Sequence, residues 1–354
     1  MDVKTVVVTG ASGYLGSWIV RAALEAGMQV RGTVRDPENT ERIGHLRSLA
    51  GQDRLSLYKA DLLSAGSFDA AVDGAEAVIH AASPFIRTGI SDAHQQLIEP
   101  AVRGTRNVLA SVERSPSVSR VVLTSSVVAV MGDAAESRDY PGGVVDETRW
   151  NASNSADYEP YGFSKTEAER SAWEIAGAQD RWSLATINPA FIVGPSLSLR
   201  QDSESVSIIM QLGDGSFRQG APDLSLGFVD VRDVAQAHVQ AVANPQAVGR
   251  FILAERVMSF PDAAASLRSH FGDDYGFPRG KVPTWLLWLI APRAGLSRRY
   301  VRRNIGIRYT LDSSRSRDIL GIEYRDTRRS LVEHMQQVID RGWVRPTGSS
   351  GTAG

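Results

Sequence analysis

A glycine-rich stretch near the beginning of the chain constrains the fold more than any other feature of the sequence. Residues 8–16 read Val-Thr-Gly-Ala-Ser-Gly-Tyr-Leu-Gly, between a β-branched run and a helical pattern that Gly27 closes. Glycines let the backbone turn tightly and approach a pyrophosphate, and the N-terminus of the following helix offers unpaired N–H groups. The stretch therefore predicts a dinucleotide-binding turn rather than an incidental glycine-rich loop. Its predicted cofactor contacts are Gly10, Ser12, Gly13, Tyr14, Leu15 and Gly16.

Short β-branched runs alternate with longer segments of helical periodicity in the first half of the chain. Parallel strands need a crossover connection, so this alternation favours an α/β fold, a Rossmann-type doubly wound parallel sheet. Two later runs can extend that sheet. The predicted strands are Thr5–Val8, Gln29–Val34, Leu55–Tyr58, Ala77–His80 and Arg120–Thr124, followed later by Ser183–Asn188 and Arg250–Leu253.

The pattern loosens after Pro189, where proline, glycine and serine become frequent, and Phe228–Ala241 looks like a return to the core. We expect a smaller C-terminal substrate-binding region folded over the carboxyl edge of the sheet. The predicted division is an NADP-binding Rossmann core at 1–188 with 228–254, a substrate-binding region at 189–227 with 255–346, and a flexible tail at 347–354.

Composition excludes several classes of function. The chain has 354 residues, a formal net charge of −1 and no cysteine, which rules out thiolate catalysis and disfavours a nucleic-acid partner. Its six histidines show no HExxH spacing, so no metal site is predicted. The sequence shows no secretory leader before the first strand and no apolar run that could span a bilayer. We therefore expect a cytoplasmic protein.

The end of the second predicted strand bears on the choice between NAD and NADP. An acidic residue there binds the ribose 2′-hydroxyl, whereas arginine accommodates a 2′-phosphate. Arg35 and Asp36 stand side by side at this point, and Arg42 follows within reach of the same corner. We expect NADP(H), with both arginines at the phosphate; a solvated arginine at a strand end is the alternative. Asp61 and Leu62, after the third strand, are predicted to lie beside the adenine.

The segment Tyr161-Gly-Phe-Ser-Lys165 places a phenol and an ammonium four residues apart, on one face of a predicted helix. A tyrosine with a pKa of ~10 is a poor acid at neutral pH, and a neighbouring lysine cation favours its phenolate. A serine hydroxyl at the end of the fifth strand would hold a substrate oxygen where charge develops. Ser125 and Ser126 compete for that role on the residues alone. The set predicts carbonyl reduction, with a surface Tyr–Lys pair as the alternative.

Together these segments resemble the extended short-chain dehydrogenases/reductases, and more narrowly the dihydroflavonol reductase/cinnamoyl-CoA reductase group, over about residues 4–255. The resemblance implies NADPH-dependent reduction of an aldehyde or ketone. It assigns Ser126, Tyr161 and Lys165 as the catalytic residues, and so selects Ser126 over Ser125. It also places Arg35 at the 2′-phosphate. The further cofactor contacts that it implies are Ala81, Ala82, Ser83, Thr124, Lys165, Pro189 and Val193.

The substrate side departs from plant dihydroflavonol reductases. Those enzymes resemble this chain elsewhere but carry an asparagine in place of Met131 and a glutamine in place of Gly227, and both bind flavonoid hydroxyls. A pocket built on buried hydrogen bonds discriminates steeply against the loss of a partner. We therefore expect a less polar small-molecule aldehyde, ketone or keto-ester. The predicted substrate contacts are Phe85, Ser126, Met131, Tyr161 and Gly227.

Several alternatives stay open. A sugar-nucleotide epimerase or a 3β-hydroxysteroid-type dehydrogenase uses the same three residue types, whereas a dehydratase is disfavoured because Val127 and Val128 cannot act as acid or base. A non-catalytic NADP sensor would bind the cofactor without turnover. Residues 282–303 have a basic amphipathic character that favours a lid or a domain helix over a membrane contact. We expect a monomer or a homodimer with no membrane partner.

Overall fold

The computed structural model describes residues 3–83, 92–201 and 203–347. Within these ranges every strand predicted from the sequence is present, and its ends agree with the prediction to within one residue. The strands are β1 (Thr5–Thr9), β2 (Gln29–Val34), β3 (Leu55–Lys59), β4 (Ala77–His80), β5 (Arg120–Thr124), β6 (Val144–Val145), β7 (Ser183–Pro189), β8 (Phe191–Val193), β9 (Ser225–Asp230), β10 (Gly249–Leu253), β11 (Arg256–Ser259) and β12 (Thr310–Leu311).

Seven strands form one parallel sheet in the order β10-β7-β5-β4-β1-β2-β3. The order reverses direction between β1 and β4, so the sheet is doubly wound, and a crevice forms where the first strand ends. The Rossmann-type α/β prediction is thus confirmed. The smaller sheets are β11-β9-β8 and β12-β6. The helices are α1 (Tyr14–Glu25), α2 (Thr40–Arg47), α3 (Asp69–Val72), α4 (Glu99–Arg114), α5 (Pro160–Gly177), α6 (Glu204–Gly213), α7 (Val231–Ala243), α8 (Phe260–Phe271), α9 (Thr284–Ile290), α10 (Arg298–Asn304), α11 (Ser314–Asp318) and α12 (Thr327–Asp340).

Both faces of the central sheet are covered, which is why its strands read as continuous apolar runs. In β1, Val6 and Val8 lie in a core cluster with Ile19 of α1 and Val234 of α7. Val7, between them, lies in a second cluster on the opposite face, built with α3, α4 and α5. Packing of α1 on α7 and of α4 on α5 completes the two layers.

The end of α1 follows the sequence prediction. Gly27 has a φ of 84°, a left-handed conformation that favours glycine, and its N–H donates to the Leu24 carbonyl. The N–H of Met28 then bonds the Ala23 carbonyl, and the chain turns into β2. This turn sets the length of α1 and so places its N-terminus at the carboxyl edge of the sheet.

The segment Phe228–Ala241, predicted to return to the core, divides between the small sheet and the central sheet. Phe228–Ala241 was expected to return to the core, and α7 does pack on the central sheet, whereas Phe228 belongs to the small sheet. The reason is that β9 pairs with β8 and β11, and Asp230 then caps α7. A third core cluster joins this sheet to α6, α8 and α12. The division into a Rossmann core and a substrate-binding region stays a prediction.

Within the described ranges no helix is both long enough and apolar enough to cross a membrane. The same residues contain no group of three or more histidines and carboxylates arranged to hold a metal ion. The longest apolar helical segment, α9, has only seven residues.

Candidate active site

The turn after β1 and the segment after β4 meet backbone to backbone. Gly10 has a φ of 67°, and a Cβ added there would lie 2.9 Å from the Ala82 Cα. The Ala82 N–H donates to the Thr9 hydroxyl at 2.9 Å, and that hydroxyl lies 2.9 Å from His80 Nδ1. Burial lowers the pKa of His80 to about 3, so the imidazole is neutral. The tight turn and the close approach of Ala82 therefore require glycine at position 10.

The N-terminus of α1 is open to an anion. Gly13 is the N-cap residue of α1, and its N–H donates to the Gly10 carbonyl at 3.0 Å. No side chain caps this end of the helix. A Cβ at position 16 would lie 2.1 Å from the Gly10 carbonyl oxygen, so glycine there lets the helix start against the turn. The first helical turn contains no acidic residue. An uncapped, uncharged helix start of this kind fits a pyrophosphate.

Side chains of α1 hold the segment that follows β8. The Tyr14 hydroxyl donates to the Gly194 carbonyl at 2.7 Å, and Trp18 Nε1 donates to the Pro195 carbonyl at 2.8 Å. The Tyr14 ring also stacks on His334 of α12, with centroids 5.9 Å apart. Burial raises the pKa of Tyr14, so its hydroxyl keeps its proton and stays a hydrogen-bond donor. Leu15 packs against the core beside it.

Basic side chains surround the corner after β2. One cavity is lined there by Arg35, Asp36, Arg42 and Arg200, together with Ser12, Val34, Asn39 and Ile43. The Asp36 carboxylate accepts the Glu38 N–H, which folds it into the turn before α2. Three guanidinium groups and one carboxylate fit a 2′-phosphate better than a bare ribose hydroxyl. Arg200 was missed from the sequence because the residue lies far along the chain in an irregular segment.

A second cavity lies at the carboxyl ends of β4 and β5. The Asp61 carboxylate does not line it and accepts the Leu63 N–H at 2.8 Å, and its place beside the adenine stays a prediction. Leu62 is held by its carbonyl, which accepts from Asn107. Predicted cofactor residues that the structure brings to this cavity are Leu62, Ala82, Ser83, Thr124 and Lys165.

The catalytic helix begins at the carboxyl edge of the sheet. Tyr161 and Lys165 occupy successive turns at the start of α5. This helix packs on the short 3-10 turn Val127–Ala129, which Ser126 caps by accepting the Val128 N–H. The elements that carry the three predicted catalytic residues therefore pack against each other, and the catalytic roles stay predictions. Glu159, two residues before the tyrosine, has a φ of 52° and fixes how α5 enters the site.

The two adjacent serines have different surroundings. Ser125 is buried, and its hydroxyl donates to Glu169 Oε2 at 2.5 Å. Ser126 keeps part of its surface exposed. The Ser125 hydroxyl is thus engaged by Glu169, although Ser125 lines the same cavity as Lys165, and the role of Ser126 toward a substrate oxygen stays a prediction.

Glu169 is the centre of a buried polar network below the catalytic residues. Its carboxylate accepts from Arg250 Nε at 2.6 Å and from Asn188 Nδ2 at 2.8 Å, besides the Ser125 hydroxyl. The glutamate is fully buried, and the arginine is 8% exposed. Arg250 also donates to the carbonyl groups of residues 147 and 149, so the network joins five segments around the site.

The network also acts on Lys165. Burial lowers the pKa of Lys165 to about 8, and the Glu169 carboxylate opposes that shift. Two sequence signals point to the Glu169–Arg250 ion pair: Glu169 follows Lys165 by one helical turn, and Arg250 stands in an otherwise apolar strand. Neither signal shows that Glu169 and Arg250 contact each other, because they are 81 positions apart in the chain.

Several predicted contacts have little or no exposed surface. Met131 is 6% exposed and lies in a core cluster with Val145. The space beside Gly227 is filled, since a Cβ there would lie 2.4 Å from Leu311 Cδ1. Val193 is fully buried in the third core cluster, and Pro189 ends β7. Their roles toward substrate and cofactor stay predictions. Phe85 lies outside the described residues.

Comparison with known proteins agrees with this geometry. The profile of the NAD dependent epimerase/dehydratase family matches residues 6–253. Cinnamoyl-CoA reductase CAD2 of Medicago truncatula is 42% identical over 268 residues, which are 75% of this chain and 80% of that protein. Tetraketide alpha-pyrone reductase 1 of Arabidopsis thaliana is 32% identical over 342 residues, 96% of each chain.

Among solved structures, Gre2 of Candida albicans in complex with NADPH has a TM-score of 0.76 and 28% identity, covering 95% of this chain and 99% of that one. Vestitone reductase from alfalfa, at 24% identity and a TM-score of 0.72, shares the fold. The glycine turn, the basic corner and the Tyr–Lys helix all lie within residues 6–253, the range that the family profile matches. The chain therefore belongs to the NAD dependent epimerase/dehydratase family, as an NAD(P)-dependent oxidoreductase among relatives named reductases.

Proposed function

We propose that this protein reduces the carbonyl group of an aldehyde, ketone or keto-ester to the alcohol, with NADPH as the reductant. The observation that carries the proposal is the packing of α5, which bears Tyr161 and Lys165, on the turn that Ser126 caps. Relatives named cinnamoyl-CoA reductase and tetraketide alpha-pyrone reductase support the reductive direction.

Each catalytic residue has a separate task in this scheme. Bound NADPH supplies the hydride to the carbonyl carbon. Ser126 Oγ donates a hydrogen bond to the carbonyl oxygen and holds it where negative charge develops. Tyr161 Oη donates the proton that completes the alcohol, and the Lys165 ammonium stabilises the phenolate that remains. Lys165 lines the cavity with Thr124 and Ser83, which supports a position of its cation beside the cofactor ribose.

The preference for NADPH over NADH follows from the basic corner. Arg35, Arg42 and Arg200 line one cavity with Ser12, so the 2′-phosphate would receive charged hydrogen bonds from more than one side. A ribose without the phosphate offers these guanidinium groups no charged acceptor from the cofactor. The NADPH complex of Gre2 supports the same choice.

The test is to follow NADPH and NADH absorbance with a panel of aldehydes, ketones and keto-esters. We expect NADPH to be preferred, and we expect Tyr161→Phe and Ser126→Ala to lower kcat/KM by about a hundredfold or more. Tyr275→Phe, in an aromatic cluster of the C-terminal region, is the matched control and keeps full activity. Unchanged turnover in Tyr161→Phe would refute the assigned proton donor.

A CoA thioester is the second substrate class to include, because relatives are named for cinnamoyl-CoA. Its reduction would yield an aldehyde and the free thiol of CoA, with one hydride and one proton consumed. Detection of free thiol during NADPH oxidation distinguishes this reaction from carbonyl reduction.

The other candidates are separated by the same assay. NADPH binding without consumption on any carbonyl or thioester would remove the reductase proposal and favour an epimerase, then a sensor. Sugar-nucleotide epimerisation and 3β-hydroxysteroid oxidation are measured next in that case. A cytoplasmic location and a monomeric or dimeric state stay predictions.

A further inference from the structure

Helix α9 exposes an apolar face of unusual size. Trp285 is 66%, Leu289 50% and Trp288 40% exposed, and Leu286 and Ile290 are exposed beside them. Five of the eight exposed large apolar side chains in the described chain thus fall within six residues. Contiguous apolar surface of this kind marks an interaction site, because scattered single residues are the norm.

The same helix is anchored on its other side. Leu287 and Ala291, one turn apart, are buried against Val301 and Ile305 of the neighbouring segment. Spacing therefore divides α9 into an inner face that packs on α10 and an outer face that meets solvent. The outer face is consequently held rigidly and needs no rearrangement to bind a partner.

The segment that carries this face is basic, although Arg279, Lys281, Arg303 and Arg308 pair with carboxylates from outside it. Residues 275–311 contain eight arginines and lysines and no acidic residue, in a chain whose net charge is −1. Arg298 lies over the Trp288 ring, 4.3 Å from its centroid, so a cation sits beside the exposed apolar surface. Arg293 and Arg302 are exposed, and no carboxylate of the described residues pairs with either of them or with Arg298.

We propose, contrary to the expectation drawn from the sequence, that the exposed face of α9 and the arginines around it form a docking surface for an anionic lipid bilayer. Tryptophan and leucine side chains insert at the headgroup boundary, while the guanidinium groups reach lipid phosphates. A second copy of the chain fits poorly, because it would bring two strongly basic segments together. Exposed leucine and isoleucine also favour lipid over nucleic acid. This inference goes beyond the proposed reduction and does not depend on it.

The docking surface is connected to the candidate active site. Arg303 of α10 pairs with buried Asp133, and Asn304 bonds both Asp133 and the Ala134 N–H. Residue 133 begins a turn seven positions after Ser126. Binding at α9 would therefore hold the protein on the bilayer with its catalytic edge at a fixed orientation.

Vesicle flotation tests the proposal with the full-length protein. We expect binding to vesicles of phosphatidylcholine with phosphatidylglycerol, at least about tenfold weaker binding to phosphatidylcholine alone, and loss of binding in high salt. Trp285→Ser with Trp288→Ser, and separately Arg293→Glu with Arg302→Glu, should each weaken binding by about tenfold or more. Both pairs alter exposed side chains, so the fold is kept.

The matched control is Leu199→Ser with Val248→Ser, two exposed apolar residues elsewhere that should leave binding unchanged. NADPH oxidation with a water-soluble aldehyde reports separately on the reductase site and should be unaltered in every variant. Equal flotation of wild type and the tryptophan variant, or a concentration-dependent dimer lost in that variant without vesicle binding, would overturn the proposal. A tryptophan emission blue shift on anionic vesicles would support it.

Discussion

Glu169 shows at the scale of single residues how this site is built. Its buried carboxylate joins Arg250, Asn188 and Ser125, and its charge also acts on Lys165. The network gives this buried carboxylate the hydrogen-bond partners that a buried charge requires. Because the residue lies one turn after Lys165, we regard it as a positioning residue that acts through the lysine and the serine segment.

We predict that Glu169→Gln shifts the alkaline limb of the kcat/KM profile to lower pH by about one unit. Burial already lowers the pKa of Lys165 to about 8, and losing the carboxylate removes the influence that opposes this shift. The ammonium is then lost at lower pH. Stability should also fall by about 3 kcal/mol, since Arg250 is left buried without its partner. Initial rates across pH and chemical denaturation measure the two effects.

Glu174→Gln is the control for that variant, because Glu174 lies on the same helix with its side chain 77% exposed. It should leave both the pH profile and the stability unchanged. If Glu169→Gln loses stability but keeps the wild-type pH profile, the glutamate is structural only.

We predict that Arg35→Ala and Arg200→Ala each raise the KM for NADPH by about tenfold to a hundredfold and leave the KM for NADH unchanged. A charged hydrogen bond contributes about 1.5–3 kcal/mol, and only NADPH carries the phosphate that accepts it. Arg21→Ala, on the exposed side of α1, is the control. An equal rise in KM for both cofactors would place the arginines elsewhere.

At the scale of elements, the start of α5 carries local strain. Glu159 has a φ of 52° and directly precedes Pro160, where left-handed backbone is rare for a residue with a side chain. The strain sits two residues before Tyr161, so the turn sets the direction in which the catalytic helix begins.

We predict that Glu159→Val destabilises the protein by about 1–2 kcal/mol, whereas Glu159→Gly stays within about 1 kcal/mol of wild type. A β-branched residue tolerates positive φ least, and glycine tolerates it best. Glu174→Val, at an ordinary helical position, should cost only about 0.5 kcal/mol. Urea denaturation gives all three values, and equal losses in the two valine variants would contradict the prediction.

Elements of this fold were predictable where the signal is local. The β-branched runs gave the strands because both faces of the central sheet are buried, and Gly27 marked the end of α1. The assignment of β9 to the small sheet was not predictable, since it depends on pairing with β8 and β11. The site divides in the same way. Motif spacing found Tyr161 and Lys165, but long-range contacts bring in Arg200 and Arg250.

For the molecule as a whole, three buried neutral histidines link stability to pH. Burial lowers the pKa of His80 and His334 to about 3 and that of His238 to about 4. The His238 Nε2 lies 2.7 Å from the Thr124 hydroxyl, and its Nδ1 lies 2.7 Å from the Val234 carbonyl, so the ring works as a neutral bridge. None of the three takes up a proton in the folded state near neutral pH.

We predict that the free energy of unfolding is steady between about pH 6.5 and 7.5 and falls steeply between about pH 6 and 4, while above about pH 8 the lowered pKa of Lys165 makes it rise with pH. The unfolded chain binds protons at histidine around pH 6.5, whereas the folded chain does not until pH 3–4, so acid favours unfolding. Each histidine adds about 1.4 kcal/mol per pH unit to the slope. His334→Phe keeps a ring against Tyr14 and should make the slope shallower in denaturation series; an unchanged slope would argue against the neutral state of His334.

The contact between α1 and α12 has a consequence for how the protein is made. Tyr14, in the dinucleotide turn, stacks on His334, and the Gly194 N–H bonds the same imidazole. About 300 residues separate the two rings along the chain. During synthesis the turn leaves the ribosome long before the helix that braces it. Until α12 emerges, the dinucleotide turn of the nascent chain therefore lacks the contacts that His334 makes with Tyr14 and Gly194.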